Sequence, residues 1–146
     1  MSAAGKETFV MGAVSLLSNK FAGFCDNQLG DVTYRQWFLL MMIQRMGDGE
    51  KSLAQIADFT GTSRQNVKHM ATTLEQRGYL AMTPSTTDRR ATSVSLTRKG
   101  KYLLTHRQDA LSAETERLFE PLSPTEVDSL AVGLQKLLLA VDAYEG

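Results

Sequence analysis

Two helical stretches hinged on a single glycine constrain this chain more than any other feature. In SLAQIADFTGTSRQNVKHMATTLEQRGYL, Ser52 to Leu80, the residues Ile56, Ala57, Val67, Met70 and Leu74 are spaced so that one face of each helix packs on the other. Ala57 is small where two backbones approach, and Gly61 supplies the left-handed residue that swings the second helix across the first. That packing leaves Ser63, Arg64, Gln65, Asn66, Lys68 and His69 facing outward, with Thr62 just ahead of them. Almost all of them are hydrogen-bond donors. A helix face so equipped fits the major groove of DNA, where Arg reads guanine and Asn or Gln reads adenine through paired hydrogen bonds.

Helix starts are marked elsewhere by Ser or Thr followed three residues later by Gln or Glu, a pairing that satisfies orphan amides from both directions. Four such boxes occur: Thr33 with Gln36, Ser52 with Gln55, Thr62 with Gln65, and Ser123 with Glu126, the last with Pro124 at the first helical position. The pattern predicts helices over about Lys6–Leu29, Thr33–Met46, Ser52–Phe59, Ser63–Arg77, Thr97–Phe119 and Pro124–Tyr144. Between the fourth and fifth the period shortens to two. Tyr79–Thr83 and Thr92–Leu96 read as strands, and the turn formers PSTTDRRA between them make a hairpin with an exposed tip carrying Asp88, Arg89 and Arg90. The fold class is therefore mostly α with a small β-hairpin wing.

At 146 residues the chain is expected to form one domain that buries roughly two-thirds of its unfolded surface without metal or disulfide. Sixteen basic residues balance sixteen acidic ones, but not evenly along the chain. From Ser63 to Arg107 nine bases face two acids, a local excess of +7, while Asp109 to Gly146 carries eight acids against Arg117 and Lys136. One region is built to meet an anion and the rest keeps the molecule soluble.

The continuation LEQRGYL, a hairpin, then DRR and the V.LT.KG pattern of Val94 to Gly100, together with the Ala57, Gly61, Val67 spacing, resembles the MarR family of winged-helix transcription regulators. The motifs cover about Thr33 to Leu104. The resemblance implies a winged helix-turn-helix over 33–104 that binds double-stranded DNA, flanked by dimerisation helices in 1–32 and 105–146. It also implies that the Asp-x-Arg element, here Asp88 and Arg90, sends an arginine into the minor groove. A guanidinium on a thin loop of small residues suits that narrow, negative channel, and Asp88 is expected to hold and aim it. Arg89 is expected on a phosphate.

Apolar stripes run along both ends of the chain: Val10, Ala13, Val14, Leu17 and Phe21, and Val127, Leu130, Leu134, Leu137, Leu138 and Val141. One small domain has limited need of both, and the resembled family interlaces its termini with a second subunit. The expectation is a homodimer on a palindromic site. The same resemblance implies a ligand cleft between the second, first and fifth helices, lined here by Tyr34, Trp37, Phe38, Met41 and Met42, for a small aromatic or lipophilic effector. Met and aromatic residues at this spacing also read as ordinary core.

Cys25, the sole cysteine, has two readings: a small core residue, or a redox-sensing thiol. In the peroxide-sensing branch of the family the cysteine lies further before the segment matching Thr33 and Tyr34. His69 and His106 lack ligand spacing, so no metal or cofactor is expected. No nucleophile has a partnered base, which argues against an enzyme. The longest strictly apolar run, Trp37–Ile43, is too short for a bilayer and the N-terminus lacks the order of a secretion signal, so the expected location is the cytoplasm. A winged helix used for protein docking instead of DNA binding is the alternative.

Overall fold

The computed structural model of the chain describes residues 2–26 and 29–145, with 108–111 and Glu145 described by backbone alone. Among the described residues six α-helices and three strands run in the order α1 (Ala3–Cys25), α2 (Tyr34–Arg45), β1 (Lys51–Ser52), α3 (Leu53–Thr60), α4 (Arg64–Gln76), β2 (Leu80–Pro84), β3 (Thr92–Leu96), α5 (Arg98–Phe119) and α6 (Pro124–Glu145). They fall into two compact units, Met1–Asp109 and Ala110–Gly146.

In the first unit the helix starts follow their caps. Thr33 and Gln36 close a reciprocal box on α2, and Ser52 and Gln55 close another on α3. The first helix begins earlier than its apolar stripe suggests, because Ser2 accepts from the Gly5 amide and caps it. It also ends earlier, at Cys25. Residues 27 and 28, assigned to this helix by sequence, lie outside the described residues; Leu29, likewise assigned, sits in a turn beside Gly30 and is fully buried.

The hairpin forms as expected, except that its first strand runs one residue later, Leu80–Pro84, and takes in Pro84 from the expected turn; the register is antiparallel from Leu80 opposite Leu96 to Pro84 opposite Thr92. A third strand is new: Lys51 and Ser52 pair with Val94 and Ser93, so the sheet order is β1-β3-β2. Two residues carry no readable period, and Ser52 also serves as the cap of α3. Leu39, Leu40, Ile43, Ile56, Val67, Leu74, Leu80 and Val94, each at most 2 % exposed, form one core from α2, α3, α4 and the sheet, closed by Leu103 and Leu104 of α5. At about 25 cal/mol per Å² of apolar surface, burying each such side chain contributes roughly 1.5–3 kcal/mol.

In the second unit α6 is capped as expected, with the Ser123 amide donating to Glu126 Oε2 at 2.8 Å and the Glu126 amide to Ser123 Oγ at 3.3 Å. Leu130, Val132, Leu137, Leu138, Leu139 and Val141 of this helix are all exposed. So are Phe9, Val10, Met11, Val14, Leu16 and Leu17 of α1. The strictly apolar run Trp37–Ile43 understates α1, which by length and composition is long and apolar enough to cross a membrane. Little of it is covered within the chain.

Candidate nucleic-acid interface

The turn between α3 and α4 is set by Gly61, at φ 68° in the left-handed region, and by the Thr62 amide donating back to the Ala57 carbonyl at 3.1 Å. Thr62 thereby ends α3 and cannot begin α4. The cap of α4 is Ser63, whose hydroxyl accepts the Asn66 amide at 3.1 Å, and the box expected from Thr62 and Gln65 does not form. Thr62 Oγ1 instead accepts from the Asn66 side-chain amide at 2.9 Å. From that start Val67, Ala71 and Leu74 point into the core, and Ser63, Arg64, Gln65, Asn66, Lys68 and His69 are exposed. The donor face read from the sequence is the solvent face of α4.

At its far end α4 closes with the Gly78 amide on the Glu75 carbonyl and the Tyr79 amide on the Leu74 carbonyl, both 2.9 Å, which turns the chain into β2. The returning strand leads into α5, capped by Thr97: its hydroxyl accepts the Gly100 amide at 3.1 Å and donates to the Gly78 carbonyl at 2.6 Å. A side chain at Gly100 would run into the carbonyl of Tyr79. That close approach is the physical content of the glycine in the V.LT.KG pattern.

The wing tip is a loop from Ser85 to Ala91, closed by the Ser85 amide on the Ala91 carbonyl at 2.9 Å. The expectation for Asp88 needs correction. Its Oδ1 accepts the backbone amide of Arg90 at 3.0 Å, and its carbonyl accepts the Ala91 amide; it does not hold the Arg90 guanidinium. A carboxylate two residues before an amide closes a tight local turn more readily than it reaches the end of a long side chain. Arg89 and Arg90 are exposed, and with Lys68 of α4 they line a cleft of about 360 Å³ floored by Leu53, Met82 and Pro84. Cationic groups from α4 and the wing thus converge on one groove.

One partner of the wing was not foreseen. Glu50, just before β1, accepts the Thr86 amide at 2.8 Å, the Thr86 hydroxyl at 2.6 Å and the Ser85 hydroxyl at 2.6 Å. Those bonds, the Ser85 hydroxyl first, hold its carboxyl below the ordinary value. Glu50 sits among glycines in a stretch without period, so the sequence offered no signal for it.

A second cavity, also about 360 Å³, lies between α1, α2 and the α3–α4 turn, lined by Ser18, Tyr34, Arg35, Phe38, Leu39, Thr60, Gly61, Thr62, Asn66 and Met70. Tyr34 and Phe38 are there as expected. Trp37 and Met41 instead pack on the core and Met42 does not line the space, because they lie on faces of α2 turned away from it. The fifth helix takes no part; the α3–α4 turn takes its place. Arg35, which lines the cavity, donates to Asn19 Oδ1 at 2.9 Å. Burial, then proximity to Cys25, raises the Tyr34 hydroxyl pKa. Cys25 is 8 % exposed, and burial, then the adjacent Asp26 carboxylate, push its thiol above the ordinary value, which favours the unreactive core reading. Among the described residues no three His, Cys, Asp or Glu side chains gather to hold a metal.

Known proteins share part of this sequence and most of this fold. Residues 30–91, from the turn before α2 to the wing tip, match the model of the MarR family. Over that stretch the chain is similar to the MarR family. A relative, the transcriptional repressor MprA of Escherichia coli K12, is 35 % identical over 85 residues, 58 % of this chain and 48 % of MprA. The chain thus spans about half the length of the curated relatives it matches. Solved structures match over more of it: the transcriptional regulator BldR of Sulfolobus solfataricus has a TM-score of 0.82 at 19 % identity, covering 96 % of this chain and 99 % of BldR. A mutant of E. coli MarR complexed with operator DNA gives 0.78 at 18 % identity, covering 94 % and 99 %. The S. aureus MepR–DNA complex gives 0.73 at 20 %, covering 88 % and 95 %.

Proposed function

We infer that this chain is a MarR-family transcription regulator that binds double-stranded DNA sequence-specifically, as a homodimer on a palindromic operator in the cytoplasm, and represses until a small effector releases it. The observation that carries the reading is the shared cleft of Lys68, Arg89 and Arg90, where a donor-rich helix and a cationic loop meet. The helix suits a major groove, and the wing suits the adjacent minor groove. Relatives with that fold include proteins solved with DNA, and MprA is a repressor.

Dimerisation is supported by the apolar faces of α1 and α6, which the chain leaves uncovered. A two-fold pair would repeat the reading helix at about 34 Å or a multiple, one turn of duplex. The effector role falls to the cavity holding Tyr34, Arg35 and Phe38, whose aromatic walls and peripheral guanidinium suit a small aromatic anion. Since Thr62 and Asn66 also line it, an occupant would touch the N-terminal turn of α4 directly. A ligand that favours a head spacing unlike that of the half-sites would release the DNA. The test is selection of bound duplexes from a random pool. Recovery of a two-fold symmetric sequence supports the reading, and recovery of no sequence preference contradicts it.

A further inference from the structure

The acid Glu50 stands in an interface otherwise dominated by donors and cations, where it would repel phosphate. It lies within the first unit and is anchored by its neighbour in the chain: Lys51 pairs with Val94 on the central strand of the sheet, is itself buried, and sends its ammonium to the Gly49 carbonyl at 3.0 Å. Glu50 is thus mounted on the sheet edge. From there its two carboxylate oxygens take three donors from Ser85 and Thr86.

The other bonds of the loop are internal. The Thr87 and Asp88 amides donate to the Ser85 hydroxyl, the Arg90 amide donates to Asp88, and the Ser85 and Ala91 backbones close the ring. These fix the shape of the loop but not its attitude on the end of a two-stranded ribbon. Among the described residues Glu50 is the one side chain outside the loop that bonds it. An ionised carboxylate saturated by three donors makes strong, directional bonds, and it holds the loop by the flank opposite its arginines in sequence.

We propose that Glu50 is a positioning residue for DNA reading, which acts through Ser85 and Thr86 to set the direction in which Arg89 and Arg90 leave the wing. The proposal rests on the DNA-binding reading of the helix and wing. It assigns the charge a use: Glu50 costs some non-specific attraction for the duplex and in return orders the two cations before the DNA arrives, so that binding need not supply that ordering.

Two measurements on the full chain test it. The first is hydrogen exchange at the Thr86 amide without DNA, where Glu50→Ala is expected to accelerate exchange about tenfold or more while α4 core amides keep their protection. The second is a cycle of binding affinities for a duplex selected by the wild type. Glu50→Ala should weaken binding about tenfold when both arginines are present, and less than about twofold in the Arg89→Ala/Arg90→Ala background. Glu50→Gln, which keeps an acceptor oxygen in the same place, should recover most of the loss. Equal losses in both backgrounds would overturn the proposal in favour of a general folding role, and equal gains for Glu50→Gln and Glu50→Ala would overturn it in favour of simple repulsion. Should the wild type bind no duplex, the DNA-binding reading fails, while an unaltered Thr86 exchange rate in Glu50→Ala overturns the latch on its own.

Discussion

The hydroxyl of Tyr79 donates to Asp31 Oδ1 at 2.6 Å, joining the residue that leaves the end of α4 to the turn that precedes α2, forty-eight positions earlier. Arg77 donates to the Asp31 carbonyl, and the Lys99 ammonium lies 4.4 Å from the Tyr79 ring centre while donating to the Arg77 carbonyl at 2.7 Å. Tyr79 is buried, and its hydroxyl is the end that reaches Asp31. Replacing Tyr79 by Phe keeps the packing and removes the bond, and because Asp31 is open to water the expected loss is about 1 kcal/mol. Thermal unfolding at neutral pH checks this.

The same pair makes stability depend on pH at both extremes. The Tyr79 bond is the leading cause that lowers the Asp31 pKa from 3.8, so this contribution is present above that value and lost as pH falls through the folded pKa. Burial, then the Asp31 bond, raise the Tyr79 pKa from 10.0 to about 12. The neutral phenol is the form the fold prefers, so stability present below pH 10 is lost as pH rises toward about 12. Denaturant melts of the wild type should show both losses. Tyr79→Phe should reduce both, leaving at alkaline pH the smaller loss due to Tyr34, whose pKa is also raised.

Gly100 admits the first turn of α5 against the backbone of Tyr79. Gly100→Ala must displace main-chain atoms, not a flexible side chain, and is expected to cost about 1–3 kcal/mol despite the better helix propensity of alanine. Urea unfolding of this variant beside Gly133→Ala, where the added carbon meets open space, separates the two effects.

Arg90 is exposed and its guanidinium has no partner among the described residues, so Arg90→Ala should leave the melting temperature unchanged. Its removal should weaken duplex binding by about 1–3 kcal/mol. Titration of a labelled duplex by fluorescence anisotropy, with a melt of the same sample, reads both.

Leu138 is 67 % exposed on α6, amid other uncovered apolar residues. If a second copy covers this face, Leu138→Asp places a charge in an apolar contact and should shift a dimer of the 16.1 kDa chain toward monomer at micromolar concentration. Sedimentation velocity of both proteins gives the answer, and a wild type already monomeric would exclude the dimer.

Much of the reading head was legible in the sequence because its signals are local. Gly61 announced a left-handed turn, Thr33 with Gln36 and Ser52 with Gln55 announced helix starts, and the alternation of Val94 and Leu96 announced a strand. Errors arose where two roles competed for one residue. Thr62 looked like a cap but was needed to finish α3, and Asp88 looked like a partner for a guanidinium but was needed to close its own turn. Glu50, Asp31 and Tyr79 act across thirty-five to forty-eight positions, and neither period nor spacing encodes such pairs. The cavity beside α2 was half legible, since the family resemblance implied a cleft with Tyr34 and Phe38 but not the turn that faces them.

The most direct test is a salt titration of purified protein against a labelled random duplex. A helix and wing that place Arg64, Lys68, Arg89 and Arg90 toward phosphate should bind at low salt, with the logarithm of the affinity falling linearly against the logarithm of salt at a slope of about −0.9 for each phosphate neutralised. Absence of any anisotropy change at micromolar protein in dilute buffer, from a sample shown to be folded, would contradict DNA binding by this face.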